Sequence, residues 1–321
     1  MDRQLSLEFA RITEQAALKS ARLVGLGDKE GADQAAVDGM HEQFALTPVS
    51  GTVVIGEGEI DEAPMLYIGE HVGQGGEEVD IAVDPVEGTN LVAKGKNGAI
   101  AVLAIAPKGC LLHAPDMYMQ KICVGPRAKG RIDIRASVTE NLKNVADAMG
   151  REVSDLTMVI LDRERHEKII REAREAGARV YLITDGDVVP SVDCGIQGSR
   201  IHMVMGSGGA PEGVLSAVGL KCLGGDMQAR LLPQTEQEIQ RLHTMGIDDP
   251  NKVLTLDDLV KGDDCIFAET AITDCAMLRG VRFFGGGART STLVLRYKTG
   301  TVRFIDTVHR FGEDKPGVRM F

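Results

Sequence analysis

The chain has no tryptophan, and four tyrosines and eight phenylalanines bring its aromatics to only 4% of 321 residues. That scarcity argues against base-stacking platforms and aromatic-lined sugar clefts. Basic residues are also in deficit: 36 Lys and Arg stand against 47 Asp and Glu, a formal net charge of −11. The broad basic face that supplies most nucleic-acid affinity is therefore missing, and no nucleic-acid partner is expected. Six cysteines are scattered without a CxxC pair and read as reduced, small apolar residues of a cytoplasmic protein. The longest apolar stretch, 99–106, is far too short to span a bilayer, and residues 1–20 hold no continuous apolar run of a secretory signal. A soluble, cytoplasmic chain with no membrane partner is the expectation. Gly206-Ser207-Gly208-Gly209 lacks the full dinucleotide-binding spacing, and His166-Glu167 is not followed by the second His of a zincin motif.

What is present is ordinary globular composition, 43% hydrophobic and 26% charged, at a length that suits two domains or one large two-part α/β unit. Leu5, Phe9, Ile12 and Ala16 mark one helical face, and a second helix is predicted over 29–44. Short strands are predicted at 52–55, 79–83, 117–124 and 131–136, and 99–106 reads as a buried strand. From about residue 140 the pattern alternates: strand 157–161, helix 163–176, strand 179–183, strand 202–205, a Gly-rich turn, then helix 211–218. Such alternation predicts a mostly parallel sheet with ligands at the carboxyl ends of its strands. Strands at 291–297 and 301–305 close the chain, joined by a hairpin at Lys298-Thr299-Gly300. The expected class is α/β: an α+β part over 1–140 and an α/β part over 141–321, with a soft boundary and tail strands free to return to the first part.

The densest chemical signal lies in the first part. Val54-Ile55-Gly56-Glu57-Gly58-Glu59-Ile60-Asp61-Glu62 sets four carboxylates after one short strand, and Asp84-Pro85-Val86-Glu87-Gly88-Thr89-Asn90 sets two more after another. A lone acidic run reads as a solvated loop. Two acidic loops, each fixed to an apolar strand, read better as a cradle for hard cations, because the carboxylates would otherwise repel one another and no His or Cys lies nearby in sequence. In the second part, Asp162-Arg163-Glu164-Arg165 stands at a strand-to-helix junction, and Asp185-Gly186-Asp187 ends the next strand. Ser207-Gly208-Gly209-Ala210-Pro211-Glu212 opens a helix where exposed backbone N–H groups suit an anion. The first and the last of these have a plainer reading as well: charged helix entry and helix-dipole complement.

Asp84-Pro85-Val86-Glu87-Gly88-Thr89 resembles the Asp-Pro-aliphatic-Asp-Gly-Thr motif of the lithium-sensitive, metal-dependent phosphatases, with Glu87 in place of the commoner Asp. Together with Ile55-Gly56-Glu57-Gly58-Glu59 and Gly208-Gly209-Ala210-Pro211-Glu212-Gly213, it is similar to the class II fructose-1,6-bisphosphatases of bacteria over essentially the whole chain. The resemblance implies the layered αβαβα sugar-phosphatase fold and hydrolysis of the 1-phosphate of fructose 1,6-bisphosphate. It implies two divalent ions, Mn²⁺ or Mg²⁺, one on Asp33 and Glu57 and a second on Asp84, Glu87 and Glu212. It further implies that Thr89 positions a water, Asp61 helps activate it, and Lys29 balances charge or touches phosphate. Glu87, Gly88, Thr89, Tyr118, Arg163, Arg165, Asp185, Asp187 and Gly209 match substrate-contacting positions, and a homodimer is implied. A related phosphatase acting on sedoheptulose 1,7-bisphosphate or an inositol phosphate, and a non-catalytic sugar-phosphate sensor, stay open beside it. Asp185-Gly186-Asp187-Val188-Val189 also fits the haloacid-dehalogenase pattern, but that reading leaves the carboxylates at 57–62 and 84–87 unexplained.

Overall fold

The computed structural model describes residues 1–58, 65–244, 247–249 and 251–311. Helices α1 (Leu5–Ser20) and α2 (Lys29–Phe44) come first. Strands β1 (Val49–Ile55), β2 (His71–Val72) and β3 (Glu77–Glu87), the short helix α3 (Thr89–Ala93) and β4 (Ile100–Pro107) follow. The middle of the chain carries β5 (Tyr118–Val124), α4 (Val138–Met149), β6 (Thr157–Leu161), α5 (Glu167–Glu175) and β7 (Arg179–Ile183). It continues through α6 (Val188–Asp193), β8 (Met203–Gly209), α7 (Ala210–Leu223), β9 (Asp226–Leu231), α8 (Glu236–Thr244), β10 (Leu254–Thr255) and α9 (Leu256–Leu259). Strands β11 (Ile266–Ala271), β12 (Arg282–Phe284), β13 (Gly287–Arg296) and β14 (Thr301–Arg310) close it. Both sheets are mixed with helices, so the class is α/β.

The chain folds as two compact units. One is built from Met1–Lys108 and the segment from Asp264 onward, the other from Gly109–Asp263. The change of unit falls at Lys108 and Gly109, not near residue 140, because β5 pairs with β8 and β9 of the second unit.

Among the described residues the first unit holds one sheet in the order β12-β13-β11-β4-β3-β1-β2, with β14 on the other side of β13. Strand β4 lies inside it, between β3 and β11, and is buried along Ile100–Ala106. A strand covered on both faces must be apolar throughout, which explains its unbroken run. Leu103 and Ile105 meet Phe9, Ile12, Met40 and Phe44 of α1 and α2 in one core. Asp28 starts α2 by accepting the Gly31 N–H at 2.8 Å, satisfying one of the helix's orphan donors.

The second unit's sheet runs β10-β9-β5-β8-β6-β7. Only β6, β7 and β8 are parallel; β5 and β9 pair antiparallel, so the sheet is mixed where alternation predicted a mostly parallel one. Two other expectations change. Residues 206–209 continue β8 instead of turning, paired to Tyr118–Lys121 of β5. Residues 131–136 alternate as a strand would, burying Ile132 and Ile134, but form none. The Gln228 side chain stands in for a neighbouring strand there, accepting the Ile134 N–H and donating to the Ile132 carbonyl, both at 2.9 Å.

Candidate active site

In the first unit, strands β1 and β3 run parallel; Ile55 at the end of β1 pairs with Ala82, and β3 continues to Glu87. Glu57 lies two residues past β1, and Asp33 sits one turn into α2, four residues after Lys29 and hence on its face. The Glu57 and Asp33 carboxyls are hydrogen-bonded to each other. Burial, then the Asp33 charge, then that hydrogen bond push Glu57 up to about 8. Burial also raises Asp33, against the lowering effects of the Glu57 hydrogen bond and the Lys29 ammonium. Both carboxyls are thus pushed towards the protonated form, and the pair resists carrying two charges at once.

The end of β3 is bent. Asp84 pairs with Val102 and Glu87 with Ile100, so three steps on one strand match two on the other. That bulge re-aims the last side chains, and Asp84 and Glu87 bring carboxylate oxygens within 4.8 Å of each other. Asp84 Oδ1 accepts the Val86 N–H at 3.0 Å. Gly88 follows at φ +90°, a left-handed conformation that caps α3 and leaves Thr89 as its first residue. A Cβ at Gly88 would come 2.9 Å from Leu91 Cδ1. Asp61, the expected water-activating group, lies outside the described residues.

In the second unit the expected substrate residues gather along one end of the sheet. The carboxyl ends of parallel β6, β7 and β8 lead to Arg163, Asp185 and Gly209, and antiparallel β5 begins there with Tyr118 opposite Gly209. Arg163 donates to the Asp162 and Thr184 carbonyls at 3.0 and 2.8 Å. Arg165 donates to Ser207 Oγ and O at 3.0 and 2.9 Å and lies 4.9 Å above the Tyr118 ring. These contacts fix both guanidinium planes, whereas the plain helix-entry reading needed pairs along a helix. The helix itself starts later than expected, at Glu167, after a 3-10 turn over Glu164–His166.

Two residues of this end, Lys121 and His166, escaped the sequence reading. Lys121, in the middle of β5, is 1% exposed and donates to Asp187 Oδ1 at 2.7 Å. Burial alone would lower its pKa; Asp187 and Glu212 more than reverse that, so the ammonium stays charged. A lysine inside the apolar run 117–124 was the available signal. His166 accepts the Ser207 N–H on Nε2 at 2.9 Å, and its Nδ1 lies 2.7 Å from the Leu161 carbonyl, so the proton is on Nδ1. Glu212, near the start of α7, folds back over Gly209, whose absent Cβ would lie 1.9 Å from Glu212 Oε2. That oxygen is buried with no hydrogen-bond partner among the described residues.

A model of the family described as "Bacterial fructose-1,6-bisphosphatase, glpX-encoded" matches residues 3–309. The chain belongs to this family. It is 50% identical to a protein of Synechococcus sp. (strain JA-2-3B'a(2-13)) over an alignment spanning all of both chains. That relative is named D-fructose 1,6-bisphosphatase class 2/sedoheptulose 1,7-bisphosphatase. Relatives of the same name from Crocosphaera subtropica and Synechococcus elongatus are 48% and 47% identical. The first alignment covers 96% of this chain and 97% of the relative, the second 98% and 99%. Among the described residues no helix is long and apolar enough to cross a membrane.

The acidic groups suit the metal that such a phosphatase needs. Burial raises both Asp33 and Glu57, and the Asp33 charge raises Glu57 further; a dication held there would favour both ionised forms. The donors are all hard carboxylate oxygens, which fits Mg²⁺ or Mn²⁺ better than zinc.

Proposed function

We propose that this chain hydrolyses the 1-phosphate of fructose 1,6-bisphosphate to fructose 6-phosphate and inorganic phosphate, using two divalent ions, Mn²⁺ or Mg²⁺. The observation that carries the reading is the half-buried carboxyl pair formed by Asp33 of α2 and Glu57 just past β1, in a chain that matches the family from residue 3 to 309. Asp33 and Glu57 would hold one ion, and Asp84, Glu87 and Glu212 the other. When bound, such ions neutralise phosphate oxygens and lower the pKa of water.

The chain's own groups do the rest. The Thr89 hydroxyl orients the attacking water in line with the scissile bond, and Asp61 accepts its proton. Lys29 offsets the acidic pocket and contacts phosphate. Glu87, Gly88 and Thr89 lie against the reacting phosphate. Arg163 and Arg165 grip the far phosphate with pre-set planar forks, and Asp185 and Asp187 accept hydrogen bonds from sugar hydroxyls. Tyr118 and Gly209 line that end of the pocket. Attack on phosphorus is direct, with no covalent phospho-enzyme. In this reading Met1–Lys108 supplies most of the catalytic groups and the second unit the substrate contacts, and the protein works as a cytoplasmic homodimer.

Phosphate release from fructose 1,6-bisphosphate is expected with Mn²⁺, to vanish with EDTA and to return on adding metal. Asp84→Ala or Glu57→Ala should lower kcat by about 100-fold or more; wild-type turnover in either variant at saturating Mn²⁺ would sink the proposal. A second reading rests on the relatives' double name: the same site also accepts sedoheptulose 1,7-bisphosphate. Ranking kcat/KM for the two bisphosphates and an inositol monophosphate decides between a broad and a narrow pocket.

A further inference from the structure

At the other end of the second unit's sheet lies a cavity of about 450 Å³. Strand β5 separates it from Tyr118 by its full seven residues, about 20 Å of extended chain. Its walls come from the end of β5, the end of α4 and the segment between α6 and β8. The chain of net charge −11 here presents Arg127, Arg151 and His202, and no Asp or Glu among the described residues lines the space. Pro126, Met149, Ile196 and Ile201 make the remaining wall apolar.

The hydrogen bonding in this cavity is incomplete in an informative way. His202 is 7% exposed, and its Nδ1 accepts the Thr157 backbone N–H at 2.9 Å. A neutral imidazole with Nδ1 accepting carries its proton on Nε2. Burial and the nearby charges of Arg151, Arg179 and Arg127 hold the ring neutral, with Asp155 the carboxylate opposing them. Yet Nε2 lies 2.9 Å from Arg151 Nη1, also a donor. A neutral imidazole has only one accepting nitrogen, so His202 cannot accept from both Thr157 and Arg151, and the two donors are satisfied together by one acceptor lying beside both nitrogens. Arg127, bonded through Nη2 to the Met149 carbonyl, adds a second guanidinium at the same wall. Close packing shapes the site: a Cβ on Gly125 would lie 2.2 Å from the Cys194 carbonyl oxygen.

We propose that this cavity is a second ligand site, distinct from the catalytic one, that binds a compact organic phosphate. The phosphate oxygens are taken by Arg127, Arg151 and the His202 Nε2–H, and the apolar body lies on Met149, Ile196 and Ile201. Phenylphosphonate is a suitable probe, since its P–C bond resists hydrolysis. Calorimetry on the full chain in EDTA should show saturable binding that weakens with added salt. The double substitution Arg127→Gln/Arg151→Gln should weaken it at least tenfold. Ser199→Trp, which fills the cavity and keeps both arginines, should do the same, so the test survives misfolding of the double variant. Arg165→Gln, at the catalytic end, should leave the affinity unchanged. Inorganic phosphate, lacking the apolar body, should bind at least tenfold more weakly. The assignment is overturned by absence of saturable binding, by equal affinity in the cavity variants, or by loss in Arg165→Gln. Equal affinity for inorganic phosphate overturns the organic body.

Discussion

Buried charge in the second unit is balanced residue by residue. Lys121 sits among Asp187 and Glu212, and removing the cation strands two carboxylates out of water. Lys121→Met should therefore cost about 3–5 kcal/mol of unfolding free energy in urea titrations, far more than a surface lysine. Asp193 is the opposite case: it is 1% exposed, and neither oxygen has a hydrogen-bond partner among the described residues. Burial pushes its pKa up to about 7 from an ordinary 3.8. The folded state thus keeps a proton that the unfolded chain has released, so stability is full below pH 4 and falls as pH rises towards 7. The slope is about 1.4 kcal/mol per pH unit. Asp193→Asn should abolish that dependence between pH 5 and 7.5, measured as the difference between wild-type and variant urea midpoints. A parallel slope in both proteins would show that Asp193 is ionised when buried.

At the level of elements, the acidic motif works because a strand is bent and then capped. The bulge between Asp84 and Glu87 and the left-handed Gly88 are one device. Gly88→Ala puts a methyl against Leu91 and strains φ, and should destabilise by about 1–3 kcal/mol while lowering kcat. Gly209→Ala displaces the Glu212 carboxylate and should raise the Mn²⁺ concentration needed for half-maximal phosphate release, with little change in Tm. The elements themselves were largely readable. The range 29–44 is α2, and 157–161 and 179–183 are β6 and β7, each exact to the residue. Polar side chains acting as backbone could not be read: Gln228 replaces a strand beside Ile132 and Ile134, and periodicity does not distinguish an amide side chain from a neighbour's peptide.

Across the whole molecule, the second unit is a continuous insertion, Gly109–Asp263, within a discontinuous first one. Strands β11 and β13 arrive late in the chain yet pair beside β4, which the sequence supplies early. A chain stopped after residue 263 should leave one edge of β4 unpaired and lose the first unit's cooperative thermal transition, as followed by calorimetry. The sequence by itself determined the chemistry on offer: carboxylates after apolar strands, arginines at a strand end, and the lack of aromatic or basic surfaces for other ligands. It did so because residue type and local period are written along the chain. Tertiary structure alone decided which groups share an environment: the raised carboxyls of Asp33 and Glu57, the charge kept on Lys121, and the opposed donors of Arg151 and His202. Those properties depend on burial and on neighbours distant in sequence, and no local pattern encodes either.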